Sequence, residues 1–136
     1  MKLTECLQQT AYDFDPDATT ATEIAWVDMK EFNNLLVAFV RTVGTSALTF
    51  LIQASASSNG ASPVTVKTIT PAAAPDAVGD VVFGEVDVND LLGAGTDLRY
   101  VSAVLTVATG TDEGVVFYTL GNAEHKKGAL TADVVA

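Results

Sequence analysis

The sequence predicts an all-β protein, an antiparallel β-sandwich or jelly roll of about seven to eight strands with extended N- and C-terminal arms. Three observations carry this prediction. Apolar and polar residues alternate with a period of two through most of the chain from Thr22 onward. Turn signals recur at roughly the 8–12-residue spacing of sandwiches. No long segment shows a convincing helical period, and β-branched and aromatic residues crowd the alternating runs, as a pleated, half-buried surface favours.

Taken in order, "KLTECLQQ" could form a turn or two of helix, with Leu3 and Leu7 four residues apart, but it is too short to be stable alone. From Thr10 the segment carries little periodicity, so residues 1–21 are expected to be an arm that orders by packing on something else. "TEIAWVD" begins the strands, with Glu23, Ala25 and Val27 on one face and Ile24 and Trp26 on the other. "NNLLVAFVRTV" is apolar on both faces, as expected of a central strand covered on each side. "SALTFLIQASAS" sets Leu48, Phe50, Ile52 and Ala54 opposite Thr49, Gln53 and Ser55, and Asn59-Gly60 then signals a turn.

"VTVKTIT" is expected to set Val64, Val66, Thr68 and Thr70 opposite Thr65, Lys67 and Ile69. Pro71 and Pro75 bracket a loop, since neither can donate to a ladder. "VVFGEVDV" is the next strand. Asn89 or Asp90 could then cap a single helical turn closed by Gly93 and Gly95. "DLRYVSAVLTVAT" is the longest alternating run, with Val101, Ala103, Leu105 and Val107 on one face. "GTDEG" reads as a hairpin loop from which "VVFYTLG" returns. The chain is therefore one domain over residues 1–136, with a sandwich core at 22–120 and a C-terminal arm at 121–136.

A chain of 136 residues buries roughly 65–70% of its unfolded surface on folding, enough for a core without staples. Hydrophobic residues make up 49% of it and charged residues only 18%, a composition of small neutral side chains suited to contact with other subunits. Its net charge is −10, and Lys2, Lys30, Arg41, Lys67, Arg99, Lys126 and Lys127 form no basic stripe, so neither nucleic acid nor an anionic membrane is expected as a partner. The lone Cys6 can form neither an intrachain disulfide nor a zinc site with the single His125. Lys2 is followed by polar residues rather than a signal-peptide core, and "LLVAFV" is far short of the ~20 residues of a membrane helix. A reducing cytoplasm is the expected place of synthesis.

Candidate chemistry is thin. Asp13, Asp15 and Asp17 match positions 1, 3 and 5 of a calcium loop, but position 6 is Ala18 rather than Gly and position 12 is Ile24 rather than Glu. Pro16 also interrupts the loop, so an acidic turn whose side chains bond local backbone is the simpler reading, with these three aspartates the weak metal candidates. "GAGTDL" lacks the third glycine and the following helix of a phosphate loop. His125 lies among charges in the tail without a nominated nucleophile, and Asp112–Glu113 is placed at a hairpin tip, where solubility explains it. Trp26, Tyr100, Phe117 and Tyr118 could make a sugar-binding platform, although such spacing more often serves a core or interface. No catalytic residue and no cofactor are expected.

The order "WVDMKEFNNLLVAFVRTV", "ALTFLIQASAS", a Pro-rich loop, "VFGEVDVNDLL", "LRYVSAVLTVATG" and "VVFYTLGNAEHKKG" resembles small structural proteins of tailed-bacteriophage virions, in particular jelly-roll capsid decoration (cement) proteins. The resemblance spans about residues 22–125 and is one of pattern. It implies a non-enzymatic protein, assembled in the host cytoplasm, that binds the outside of an icosahedral capsid and stabilises it. The implied partners are the major capsid protein and further copies of the chain, reached through the arms. A head–tail junction or tail protein, and a carbohydrate- or calcium-binding sandwich module, are the alternatives.

Overall fold

A computed structural model of the chain describes residues 8–16, 19, 21–69 and 78–123. These residues form nine strands and one short helix: β1 (Gln8–Phe14), β2 (Thr22–Glu23), β3 (Val27–Asp28), β4 (Phe32–Val43), β5 (Leu48–Ser55), β6 (Val64–Ile69), β7 (Val81–Asp87), α1 (Val88–Ala94), β8 (Tyr100–Val107) and β9 (Glu113–Ala123). One antiparallel sheet has the order β1-β9-β4-β7. The other has the order β2-β8-β5-β6, with β3 also pairing with β8. If β2 and β3 count as one interrupted strand, the pairs β1–β9, β2/β3–β8, β4–β7 and β5–β6 nest inside one another, which is the winding of an eight-stranded jelly roll. The all-β sandwich expected from the alternating sequence is the fold.

The core is the set of inward positions that the period of two selects. Leu35, Val37 and Phe39 of β4 and Val116, Tyr118 and Leu120 of β9 face Phe50, Ile52 and Ala54 of β5 and Val101, Ala103, Leu105 and Val107 of β8, and all of them are buried. Phe14 meets Phe39 edge-on at 5.5 Å, and Tyr12 meets Tyr118 edge-on at 5.1 Å, so β1 contributes its aromatic residues to the same core. The Tyr118 hydroxyl, deep in this core, accepts a hydrogen bond from the Ala103 N–H at 2.8 Å, and burial pushes its phenol up to about 12.

Several expectations are corrected. Residues 8–14, read as arm, form a strand because Tyr12 and Phe14 alternate inward while Gln9, Ala11 and Asp13 face out against β9. The strand expected at 22–28 is interrupted: Ile24 is buried, whereas Trp26 turns to the side of Glu23 and donates its indole N–H to the Glu23 carboxylate at 2.7 Å. A register shift opposite Ile52/Gln53 lets both Val66 and Ile69 of β6 pack on the core, against the simple alternation expected there. The segment 108–112 is no hairpin loop, because it carries the chain from β8 in one sheet to β9 in the other. The helix is capped by Asp87, not by Asn89 or Asp90. Asp87 accepts from the Asp90 N–H at 2.9 Å and Asp90 accepts from the Asp87 N–H at 3.0 Å, a reciprocal capping box. The last strand runs to Ala123, past the core boundary expected at 120. Leu3, Cys6, Leu7, Thr70, Pro71, Pro75, His125 and most of the C-terminal arm lie outside the described residues.

Candidate interaction face

The outward residues of the β1-β9-β4-β7 sheet form three rows across its four strands. The strand registers align Ala11, Phe117, Ala38 and Phe83 in the middle row, Asp13, Val115, Val40 and Val81 in the row below, and Gln9, Thr119, Leu36 and Glu85 in the row above. The middle row is apolar throughout. Phe83 is 66% exposed, Val81 52% and Leu36 38%. An antiparallel sheet with one solvated face ordinarily reads polar on that face. Here β4 is apolar on both sides, as its sequence shows, but only its inner side is covered by the described residues. Among the described residues, no second layer lies on the outer side of β4.

At one pole, a buried polar cluster ties the two sheets. Arg41, an inward position of β4 with no exposure, donates from Nη1 to the Asp112 carboxylate at 2.7 Å and from Nη2 to the Ser46 carbonyl at 2.6 Å. Asp112 also receives the Ser46 N–H at 3.0 Å and the Ser46 hydroxyl. Burial works against the Asp112 carboxylate, but the hydrogen bonds from Ser46 and Arg41 outweigh it and hold the acid below its ordinary pKa. Gly44, at φ +90°, is the turn that makes room, since a Cβ there would collide with the Asp112 carboxylate. Asp112 is thus no solubilising hairpin tip. A buried Arg at the end of an apolar strand requires an anion, and the β8–β9 crossing supplies it. Arg41 Nε alone finds no partner among the described residues.

At the other pole, Arg99 grips Asp28 with two hydrogen bonds of 2.7 and 2.6 Å, and its guanidinium lies 5.2 Å from the Tyr100 ring centroid. The Arg99 hydrogen bonds, helped by the Lys30 N–H and opposed by burial, lower the Asp28 pKa. Nearby, Met29, Val88, Leu91 and Leu98 line a cavity of about 300 Å³, with Lys30 and Arg99 also in its wall.

The sequence candidates do not converge on a site. Asp13 sits in the lower row of the outer face, Asp15 follows β1 as an exposed residue, and Asp17 lies outside the described residues. Among the described residues, no three His, Cys, Asp or Glu side chains are placed to hold a metal ion. The four aromatic candidates do not share a surface: Tyr118 points into the core while Phe117, its neighbour in β9, faces out. Phe83 and Val81, which dominate the exposed apolar face, are not among the sequence candidates. Their signal is partial, because the outward side of β7 begins apolar with Val81 and Phe83 and ends acidic with Glu85 and Asp87.

No protein-family model and no curated protein sequence matches the chain. Among solved structures, it is similar to a chain described as "Bacillus endospore appendages form a novel family of disulfide-linked pili", at 15% identity and a TM-score of 0.49, covering 85% of this chain and 86% of that one. It is also similar to a chain of the infectious bursal disease virus Gt strain, at 13% identity and a TM-score of 0.41, covering 85% of this chain and 31% of that one.

Proposed function

We propose that the protein is a non-enzymatic structural subunit of a phage virion, a jelly-roll decoration protein that seats its β1-β9-β4-β7 outer face on the exterior of the capsid. The observation that carries this reading is the apolar middle of the outer face, which no described residue covers. A central strand that is apolar on both sides is stable in sequence terms only where a second layer covers it. The Arg41–Asp112 pair offers no chemistry to a substrate, because both side chains are buried and the cation and anion neutralise each other. The three rows span about 19 Å by 20 Å from strand spacing and rise, or roughly 400 Å² in projection. That is about half of the ~800 Å² per partner of a standard interface, so the terminal segments add the remaining contact, on the capsid and between copies.

The test is co-sedimentation of the full chain with undecorated heads, followed by heating of the complex. Saturable binding in hundreds of copies and raised heat resistance are expected, with Phe83→Ser removing both. Heads that take up none of the wild-type chain would end the capsid reading, and a dozen or fewer copies per particle would move it to the head–tail junction or tail.

A further inference from the structure

Asn59-Gly60 is the only Asn-Gly pair in the sequence, and it sits in the turn between β5 and β6 with Asn59 exposed. Glycine has no Cβ to shield its backbone nitrogen, so the Gly60 nitrogen is open to the Asn59 carboxamide beside it. Once that nitrogen gives its proton to base, it can attack Asn59 Cγ. An N–Cγ bond forms, the Cγ–Nδ2 bond breaks, and the leaving nitrogen takes up the proton and departs as ammonia. Water then opens the resulting succinimide at one of its two carbonyls. One opening gives aspartate. The other gives isoaspartate, whose main chain runs through Cβ and Cγ and is one methylene longer. The folded turn keeps the reacting atoms apart. The Gly60 N–H donates to the Ser57 carbonyl at 3.0 Å, and the Asn59 side-chain oxygen accepts from the Ala61 N–H at 3.2 Å. Buried Ser55 clamps both ends of the turn: its hydroxyl accepts the Ser57 N–H at 3.0 Å and donates to the Ala61 carbonyl at 2.6 Å. The Trp26 ring covers the same turn, so near Gly60 that a Cβ there would collide with it.

We propose that Asn59 is a self-modifying site held in check by the folded turn, and that isoaspartate formed there while the turn is open keeps it from closing again. The longer main chain moves Gly60 out of its fit under Trp26 and away from the Ser57 carbonyl. Trp26 then loses its seat, and with it goes the Glu23 carboxylate that bridges the indole to Gln53. Each event also adds one negative charge to a chain already at −10. The only co-reactant is water, so the change accumulates with time spent open. No residue of the outer β1-β9-β4-β7 face takes part, so the proposal is independent of the docking reading above.

The test holds the full chain in mildly alkaline buffer, folded or in urea, and follows residue 59 by peptide mass and isoaspartyl-specific methylation. Asn59 is expected to react about tenfold faster in urea than in the folded chain, with folded Ser55→Ala in between. Asn59→Gln is expected to remove the reaction in urea. Trp26 is the only tryptophan, so its emission reports the cover directly. After removal of urea, the isoaspartyl chain is expected to show red-shifted Trp26 emission, whereas Asn59→Asp, which keeps the ordinary main chain, is expected to match the wild type. Equal rates in the folded and urea-held wild type would overturn the proposal, and this pair decides even where Ser55→Ala fails to fold. So would wild-type emission from the refolded isoaspartyl chain.

Discussion

The two sheets give similar inner faces to the core and very different outer faces to the surroundings. The outer side of the β2-β8-β5-β6 sheet carries Thr49, Gln53, Ser55, Ser102 and Thr106 around Leu51, Val104 and Tyr100, and the chain itself covers part of it. Glu23 bridges the Trp26 indole and the Gln53 amide at 2.7 Å each, the Ser102 hydroxyl reaches the Ile24 carbonyl, and the Ser55 hydroxyl donates to the Ala61 carbonyl at 2.6 Å. The Trp26 ring lies against Gly60, whose φ of +74° and missing Cβ let the β5–β6 turn come that close. The outer side of β1-β9-β4-β7 has an apolar middle row, Ala11, Phe117, Ala38 and Phe83, and no such cover among the described residues. One face is closed by intrachain hydrogen bonds, and the other keeps Phe83, Val81 and Leu36 exposed among the described residues.

That separation is testable by mutation. The largest effect belongs to the cluster that joins the sheets beneath both faces: Asp112→Ala leaves Arg41 buried without its anion and is expected to cost about 3–5 kcal/mol in urea unfolding at neutral pH. The same carboxylate sets an acid limit. Its folded pKa is depressed, so its stabilisation is present above the unfolded value of about 3.9 and is lost as pH falls through the folded value. Wild-type stability should therefore decline below about pH 4 more steeply than that of Asp112→Asn. Opening the closed face comes next. Trp26→Ala removes the ring over Gly60 and the Glu23 bridge and is expected to cost about 2–3 kcal/mol, read by the same unfolding experiment. The open face should respond least: Phe83→Ser is expected to change stability by less than about 0.5 kcal/mol. A Phe83→Ser variant that unfolds as readily as Trp26→Ala would erase the distinction between the faces.

Much of the fold can be read from local alternation. The inward sets of β5 and β8 match the residues that alternate in the sequence, and the apolarity of β4 on both sides is plain from its residues alone. What alternation misses is the pairing of residues distant in the chain. In sequence, Arg41 is one of several scattered cations and Asp112 resembles a solvated tip. Nothing local to either says that they meet, because a jelly-roll crossing brings them together from 71 positions apart. Strand β1 is hidden for a related reason. Its outward side is largely polar, and its inward aromatic residues, Tyr12 and Phe14, gain meaning only when β9 lies beside them. The interruption between β2 and β3 likewise depends on Gly60 offering space to Trp26 from another loop. The candidate face is half legible: the sequence of β4 shows two apolar sides, but not that one of them stays uncovered.

The position of β9 between β1 and β4 sets an order of events during synthesis. The β2-β8-β5-β6 sheet has all its strands once residue 107 is available, and can begin to close while the chain is still growing. Its counterpart must wait for residues 113–123, because β1 has no described neighbour other than β9, and β4 until then has only β7 beside it. Pairings of such long sequence separation are slow to form. The β1-β9-β4-β7 sheet is consequently the later of the two described sheets to take shape. A nascent chain presents it in finished form only when the remainder of the sandwich is ready to carry it.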